Sequence, residues 1–247
     1  MRSKTFDEFW QLRLQVTFHE GDPQRWSRRQ EKAQWVKSVL KLKPESSVAD
    51  LGCGDGILDI CLSRMGYHVT ALDRSRPVIE QARREDDTKR VNFEVQDLRR
   101  ADFPKHSFDA VILHETLGLM SHDDDLNLLE RALTWLKRGG RILTDCPVSP
   151  VSQNSWSKEF RDGTLVARTS FNEKTRIHQL DFEFHPQDGE AFILFDPYCP
   201  EIRNRTGITR YIYTLPELAG LMESAGFRVQ EVPHFYGDTY IGLIGEK

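Results

Sequence analysis

Between about Ser27 and Leu42, apolar residues recur at helical spacing, with Ala33, Val36, Val39 and Leu40 on one face, and "LKPES" with Pro44 closes that helix. The short apolar run "SVADL" then predicts a buried strand. Ile57, Leu58, Ile60, Cys61, Leu62 and Met65 form the next helical stripe, stopped by Gly66 as a C-cap. "HVTALD" at 68–73 is a second strand, and "RPVIEQARRE" is a helix with Pro77 near its start. "VNFEVQD" at 91–97 alternates as a strand does, and "FDAVILH" at 108–114 is continuously apolar. "DLNLLERALTWLK" is an amphipathic helix expected to end at Gly139 and Gly140, with "RILTD" as the following strand. Such alternation predicts an α/β fold, a Rossmann-like, doubly wound and mostly parallel seven-stranded sheet, because parallel strands must be joined by crossovers.

From about Pro150 to Thr214 the rhythm changes. "GTLVARTSF", "RIHQLDFEF", "AFILFD" and "TRYIYT" are β-rich pieces separated by "NEKT" and "PQDGE", the turn chemistry of an antiparallel meander. "LPELAGLMESAGF" then returns as a helix, and "RVQEVPHFYG" and "YIGLIGEK" close the sheet. The expected organisation is an N-terminal helical segment at 1–45, a main domain at 46–149 and 215–247, and a β-rich cap insertion at 150–214.

Within this frame "VADLGCGDGILDI", at 48–60, spends three glycines on a turn at the carboxyl end of the first parallel strand. Glycines cluster where a turn is left-handed or where something approaches the backbone. In an open α/β sheet this is where a ligand sits, at the point where strand order reverses. A dinucleotide motif wants GxGxxG, but counting from Gly52 the third position is Ile57, and Asp55 and Asp59 would face the pyrophosphate with no nearby Lys or Arg. The spacing is instead Asp50, Gly52, Gly54, Gly56, an acidic turn suited to a phosphate-free ligand with a positive centre. Asp73, ending the second strand, is placed to accept from both hydroxyls of a ribose. Asp97, ending the third, could accept from an adenine amino group.

Composition narrows the picture. The 247 residues carry a net charge of −4, and residues 1–45 hold ten Lys/Arg against six Asp/Glu, leaving −8 for the rest. A nucleic-acid binder needs a broad basic face, so no nucleic-acid partner is expected. The basic run "RWSRRQEK" at 25–32 is a candidate anion contact, with a solvated helix face the commoner reading of such a run. Cys53, Cys61, Cys146 and Cys199 have neither CxxC nor zinc spacing and read as reduced thiols. No apolar run reaches the ~20 residues a membrane span needs, and the N-terminus lacks a secretory pattern, so the chain is read as cytoplasmic.

The succession "VADLGCGDG", "VTALD", "VQDL", "FDAVILHETLGLM" and "LKRGGRILTD" resembles the motifs of the class I S-adenosylmethionine-dependent methyltransferases, over roughly 30–147 and the last thirty residues. The β insertion after the fifth strand resembles that of small-molecule members. The resemblance implies S-adenosyl-L-methionine as cofactor. Asp50, Gly52, Cys53 and Gly54 would meet its methionine part, Asp73 its ribose, Arg74 the adenine face, and Asp97 and Leu98 the adenine edge. His114 would lie near the sulfonium. His114, Glu115 and Tyr211 are the catalytic candidates, the first two because a polar pair after the fourth strand can take a proton from the acceptor. No metal site is expected.

The expected activity is methyl transfer to N or O of a small metabolite, with a homodimer as the candidate assembly. The alternatives are an RNA or protein methyltransferase, a nicotinamide oxidoreductase, and a binding module without turnover. "FDPY" at 195–198 resembles a motif of amino-methyltransferases, but that motif belongs directly after the fourth strand, where "HETL" stands here. Trp10 and Trp26 are aromatic candidates for closing over the cofactor.

Overall fold

The computed structural model describes residues 2–4, 23–147, 155–160, 163–194, 208–235 and 240–247. By internal contacts the chain divides into two units, one of residues 21–117, 121–148 and 213–247, the other of 1–20, 118–120 and 149–212. Trp10 and "FDPY" lie outside the described residues.

The larger unit begins with helix α1 (Pro23–Leu40), four residues earlier than the apolar periodicity suggests. Strands β2 (Ser47–Leu51), β3 (His68–Asp73), β4 (Asn92–Val95), β5 (Phe108–Leu113), β6 (Leu136–Pro147), β12 (Arg228–Pro233) and β13 (Tyr240–Glu246) form one seven-stranded sheet, in the order β12-β13-β6-β5-β2-β3-β4. β13 is antiparallel to both its neighbours, while β6, β5, β2, β3 and β4 all run parallel. Helices α2 (Ile57–Arg64), α3 (Arg76–Glu85) and α4 (His122–Trp135) make the crossovers, and α5 (Leu215–Ser224) precedes β12.

Two boundaries depart from the sequence reading for local reasons. Helix α4 starts at His122 because the Ser121 side chain accepts from the Asp124 N–H, an N-cap the apolar stripe does not reveal. It also ends at Trp135, and the chain enters β6 at once, so Gly139 and Gly140 lie inside the strand rather than after the helix.

The core explains the apolar runs. Val48, Ala49 and Leu51 of β2, Ala71 and Leu72 of β3, and Ala110 to Leu113 of β5 are buried, as strands covered on both faces must be. Helix α1 turns Ala33, Val36 and Leu40 into the same cluster as Ile57, Ile60 and Cys61 of α2. Chain order runs outward from β2 through β3 to β4 and then returns to β5 on the other side of β2. The reversal leaves a crevice beyond the carboxyl ends of β2 and β5.

The smaller unit is a six-stranded sheet among the described residues: β1 (Arg2–Lys4), β7 (Ser155–Phe160), β8 (Gly163–Asn172), β9 (Ile177–Pro186), β10 (Phe192–Leu194) and β11 (Ile208–Tyr211). β8 and β9 pair antiparallel over their whole length around the tight turn after Asn172, and β10 and β11 share the other edge of β9. No described helix is long and apolar enough to cross a membrane.

Candidate active site

The turn after β2 is held by backbone. The N–H groups of Gly52 and Cys53 both donate to the Leu72 carbonyl, at 2.7 and 2.9 Å, tying the turn to β3. The Thr116 hydroxyl, 3.0 Å from the carbonyls of Leu51 and His114, braces it against the segment after β5. Gly56 has φ +70, and a Cβ there would come within 2.6 Å of Ala82 and 2.7 Å of Phe93, so packing as well as conformation demands glycine. Gly54 also has positive φ, +56, but a Cβ on it would meet nothing within 4 Å. One glycine is therefore closed in by protein, and the other faces open space.

Asp50 and Asp59 are buried beside this turn. Asp50 Oδ1 has no hydrogen-bond partner among the described residues. Burial raises both carboxyls well above the usual carboxylate range; Lys32 and a hydrogen bond with the Asp59 carboxyl oppose the rise at Asp50, while the charge of Asp50 and that same hydrogen bond add to it at Asp59. The Lys32 side chain, only 1% exposed, comes from α1. Burial and the nearby Arg29 lower its pKa to about 8, against the attraction of Asp145, Asp50 and Glu115.

The basic run at 25–32 is thus only partly a solvated face, with Arg28 exposed and the other three basic residues turned toward the protein. Arg25 and Arg29 reach Asp55 Oδ2 at 3.5 and 3.7 Å, Arg25 also meets Glu85 at 3.5 Å, and Lys32 is interior. Nor do the turn acids lack basic neighbours, since α1 supplies them from some thirty residues upstream. Trp26, half-buried, carries the Arg64 guanidinium over its ring at 4.5 Å.

Asp73 sits where the sequence places it, at the end of β3. Its Oδ2 accepts from the Gly54 N–H at 3.1 Å and its Oδ1 from the Ser75 N–H at 2.9 Å. Burial raises its pKa, and these two donors pull it back. Arg74 follows it, half-buried. Asp97 lies two residues past β4 and caps a short 3₁₀ turn, accepting from the Arg99 N–H at 3.0 Å and pairing with the Arg99 guanidinium, which helps hold its carboxyl below the usual range. Leu98, half-buried, offers its carbonyl to Arg131 at 2.8 Å. Cys53 is half-buried in the turn, and burial raises its thiol pKa well above normal.

After β5 the structure assembles a cluster that the sequence does not announce. Asp145 of β6 accepts at Oδ2 from His114 Nδ1 and, at 3.0 Å, from His234 Nε2, and at Oδ1 from the Glu115 N–H at 2.7 Å. Burial would raise the Asp145 carboxyl, but the two imidazoles and the amide overcome it and hold the group far below the usual range. His114 moves the other way: burial lowers its pKa, opposed by Asp145. His234 stacks between the rings of His114, 5.9 Å away, and Tyr240, 5.2 Å away, with Trp35 edge-on at 5.4 Å. The Tyr240 hydroxyl donates to Glu115 Oε1 at 2.6 Å. Glu115 takes φ +51, a left-handed conformation uncommon outside glycine and a mark of a segment held by its surroundings.

His114 and Glu115 are therefore brought together, and Asp145, His234, Tyr240 and Lys32 join them unforeseen. Tyr211 belongs to the smaller unit, where its N–H donates to the Gly118 carbonyl at 2.8 Å. Its near neighbour Tyr213 is buried in the larger unit, its hydroxyl donating to Asp125 at 2.8 Å. His114, Asp145 and His234 each place one ligand atom within 4.8 Å of the others, the one such group of three among the described residues that could close on a metal ion.

Comparison with known proteins bears on the fold and on the span 48–140. Residues 48–140 match the family described as "Methyltransferase domain". Phosphoethanolamine N-methyltransferase 1 of Zea mays is 34% identical over 107 residues, 42% of this chain and 21% of the maize protein. The chain spans between about a fifth and a half of the length of the curated relatives it matches. An S-adenosylmethionine-dependent methyltransferase from Clostridium acetobutylicum superposes with a TM-score of 0.71 at 13% identity, over 98% of each chain. CalS10, an amino pentose methyltransferase from Micromonospora echinaspora solved with the cofactor bound, superposes with a TM-score of 0.66 at 16% identity, over 90% of this chain and 92% of its own. At such identities the structural likeness shows the fold alone, and the family match spans residues 48–140, from β2 to the glycines within β6. Residues 48–140, which hold the acidic glycine turn after β2 and the acid at the tip of β3, thus match a methyltransferase domain, and the seven-stranded sheet has the fold of the S-adenosylmethionine-dependent methyltransferases on which it superposes.

Proposed function

We propose that the protein transfers a methyl group from S-adenosylmethionine to an amine nitrogen of a small metabolite. The observation that carries the reading is the turn itself: open space over Gly54, a partnerless buried oxygen on Asp50, and Asp73 anchored by two N–H groups with further acceptor capacity. These residues fit the cofactor by the chemistry of their donors and acceptors. Asp50 would accept from the ammonium of its methionine part, and Asp73 would accept from the ribose hydroxyls. Bound there, the cofactor supplies a methyl group already activated on a sulfonium.

The chain's own contribution is to exclude water, hold the acceptor in line, and take up a proton from it. His114 and Glu115, on the segment after β5, are assigned the last task. An amine acceptor is favoured over a hydroxyl because the maize relative is named an N-methyltransferase and CalS10 is named for a sugar that carries an amine. A polynucleotide acceptor is disfavoured, since Arg25 and Arg29 are engaged by Asp55 and Lys32 is interior.

Thermal unfolding with S-adenosylmethionine or NAD tests the reading. The former at 100 times its dissociation constant should add ~2.7 kcal/mol of stability and NAD nothing. Stabilisation by NAD alone would reverse the assignment. Incubation with methyl-labelled cofactor in a metabolite extract should then place label on a low-mass amine, and label found on RNA or protein would refute the small-molecule acceptor.

A further inference from the structure

We propose that Asp145 and His234 are positioning residues that fix the tautomer of His114, keeping its Nδ1 protonated so that Nε2 is the atom that takes the acceptor's proton. The inference rests on the reading of the protein as a methyltransferase, and it concerns two residues to which the sequence reading assigns no role.

The argument is one of donor and acceptor accounting. An ionised carboxylate only accepts, so every group bonded to Asp145 must present a hydrogen. The Glu115 amide does so at Oδ1. Oδ2 lies against His114 Nδ1 and His234 Nε2, and each neutral ring must therefore carry its proton on that nitrogen. A neutral imidazole has one N–H, which leaves the lone pair of His114 on Nε2. Asp145 alone could be served by His114 in several orientations. His234 removes that freedom, because it occupies the second approach to Oδ2 and is itself held by the rings of Tyr240 and Trp35. The Trp35 indole in turn donates to the Pro233 carbonyl at 3.1 Å.

Exposure separates the roles. The side chains of Asp145 and His234 are 2% and 0% exposed, whereas that of His114 keeps 16%. Of the three, His114 has the least buried ring, although its Nε2 is itself covered in this structure and must be uncovered for an acceptor to meet it. The group that receives the proton is also compensated. Glu115 Oε2 lies 3.7 Å from His114 Nε2, and the Tyr240 hydroxyl holds the other oxygen of that carboxylate. A proton on Nε2 would meet Asp145 on one side and Glu115 on the other, with Lys32 of α1 opposing it.

The step balances simply. The acceptor nitrogen's lone pair forms the new N–C bond, the electron pair of the breaking C–S bond stays on sulfur, and the N–H proton goes to His114 Nε2. No further reactant is needed.

Nitrogen NMR of the cofactor-free protein labelled with 15N-histidine reads the tautomers directly, with His114→Gln and His234→Gln used to assign the two rings. Above the pKa of His114, its Nδ1 should resonate as a protonated nitrogen and its Nε2 as an unprotonated one, and His234 should show the opposite pattern. In Asp145→Asn the two His114 signals should move toward a common averaged position. His234→Gln, which can still donate to Asp145, should leave the His114 pattern in place, and His234→Leu should loosen it. A pH series on the same sample follows the titration of His114 among the groups that face it, Asp145, Glu115, His234 and Lys32.

An Nε2-protonated His114 in the wild type would overturn the proposal whatever the variants do. So would a one-to-one zinc complex, formed by adding the metal alone, in which both hydrogen-bonding protons are displaced. Failure to bind S-adenosylmethionine would instead strike the proposed function and leave the tautomer result standing.

Discussion

Asp50 and Asp145 are the same residue type, both buried, on two strands of one sheet separated only by β5, and the protein treats them in opposite ways. Asp145 is surrounded by donors from three places in the chain and is held ionised. Asp50 keeps an oxygen without a hydrogen-bond partner among the described residues and is pushed toward its neutral form. Burying a carboxylate is costly unless it is paired and hydrogen-bonded, so the first arrangement stabilises the fold and the second burdens it. A burden of this kind is retained where a ligand will relieve it. On the proposed function, the crevice is thus divided into a finished part, which would position a base, and an unfinished part, which a cationic ligand would complete.

The widest separation between the two should come from truncation. Asp145→Ala strands two imidazole N–H groups and an amide in the interior and should lower the unfolding free energy by about 3–5 kcal/mol. Asp50→Ala removes a group that is poorly solvated and poorly paired, and should change the stability of the cofactor-free protein by less than about 1 kcal/mol. Urea denaturation of both variants measures the difference. Equal losses would show that the two carboxylates do the same work.

Next in size is the effect on cofactor affinity, where the order inverts. Asp50→Ala and Asp73→Ala should each weaken S-adenosylmethionine binding by about 1–3 kcal/mol, through lost hydrogen bonds to charged or hydroxyl groups. Asp145→Asn, a milder change than truncation, should leave affinity within a factor of about three. Calorimetric titration reads all three. A cofactor that binds Asp73→Ala as tightly as the wild type would show that the ribose lies elsewhere.

The turn was readable in advance and the cluster was not, for a physical reason. Asp50, Gly52, Gly54 and Gly56 are neighbours in sequence, and a left-handed turn at a strand tip demands glycine locally, so chemistry and conformation are written in seven consecutive residues. Asp73 follows by one crossover. The cluster instead needs residues 114, 145 and 234 at three strand ends, and their meeting depends on β13 inserting between β12 and β6. His114 and Glu115 could be suspected from their place after an apolar strand. Asp145 and His234 carry no such mark, since "RILTD" and "EVPHF" read as ordinary strand ends.

Lys32 shows a third kind of concealment. It falls one residue before Ala33 and four before Val36, within the apolar face of α1, but a run containing four basic residues looks like a solvent-facing stripe. The register of the hydrophobic face, rather than the charge of the run, held the information. Lys32→Met should stabilise the cofactor-free protein by about 1–2 kcal/mol at pH 7, since replacing a desolvated ammonium with an apolar group of similar volume removes a cost of burial. The gain should shrink above pH 8. There the buried wild-type lysine loses its proton more readily than the unfolded chain does, so the wild type recovers stability as pH rises from about 8 to 10.5. A loss of stability in Lys32→Met at neutral pH would show instead that the ammonium is a net stabiliser of Asp50, Asp145 and Glu115.

The opposed pH dependences of the two aspartates separate them once more. The folded pKa of Asp50 is raised, so the unfolded chain ionises first, near pH 4, and the folded protein loses stability as pH climbs from there toward neutrality. The folded pKa of Asp145 is depressed, so its contribution is complete above about pH 4 and is lost as pH falls below it. Subtracting the stability of Asp50→Asn from that of the wild type across pH 4 to 7 should therefore give a falling line. The same subtraction with Asp145→Asn should give a flat line over that range and a fall on going to pH 3. Saturating S-adenosylmethionine should flatten the Asp50 line, because an ammonium seated on the orphaned oxygen favours the ionised carboxylate. The same ligand should leave the Asp145 line unchanged, since that carboxylate already has its donors. If the cofactor altered both lines equally, the division of the crevice into a finished and an unfinished part would be wrong.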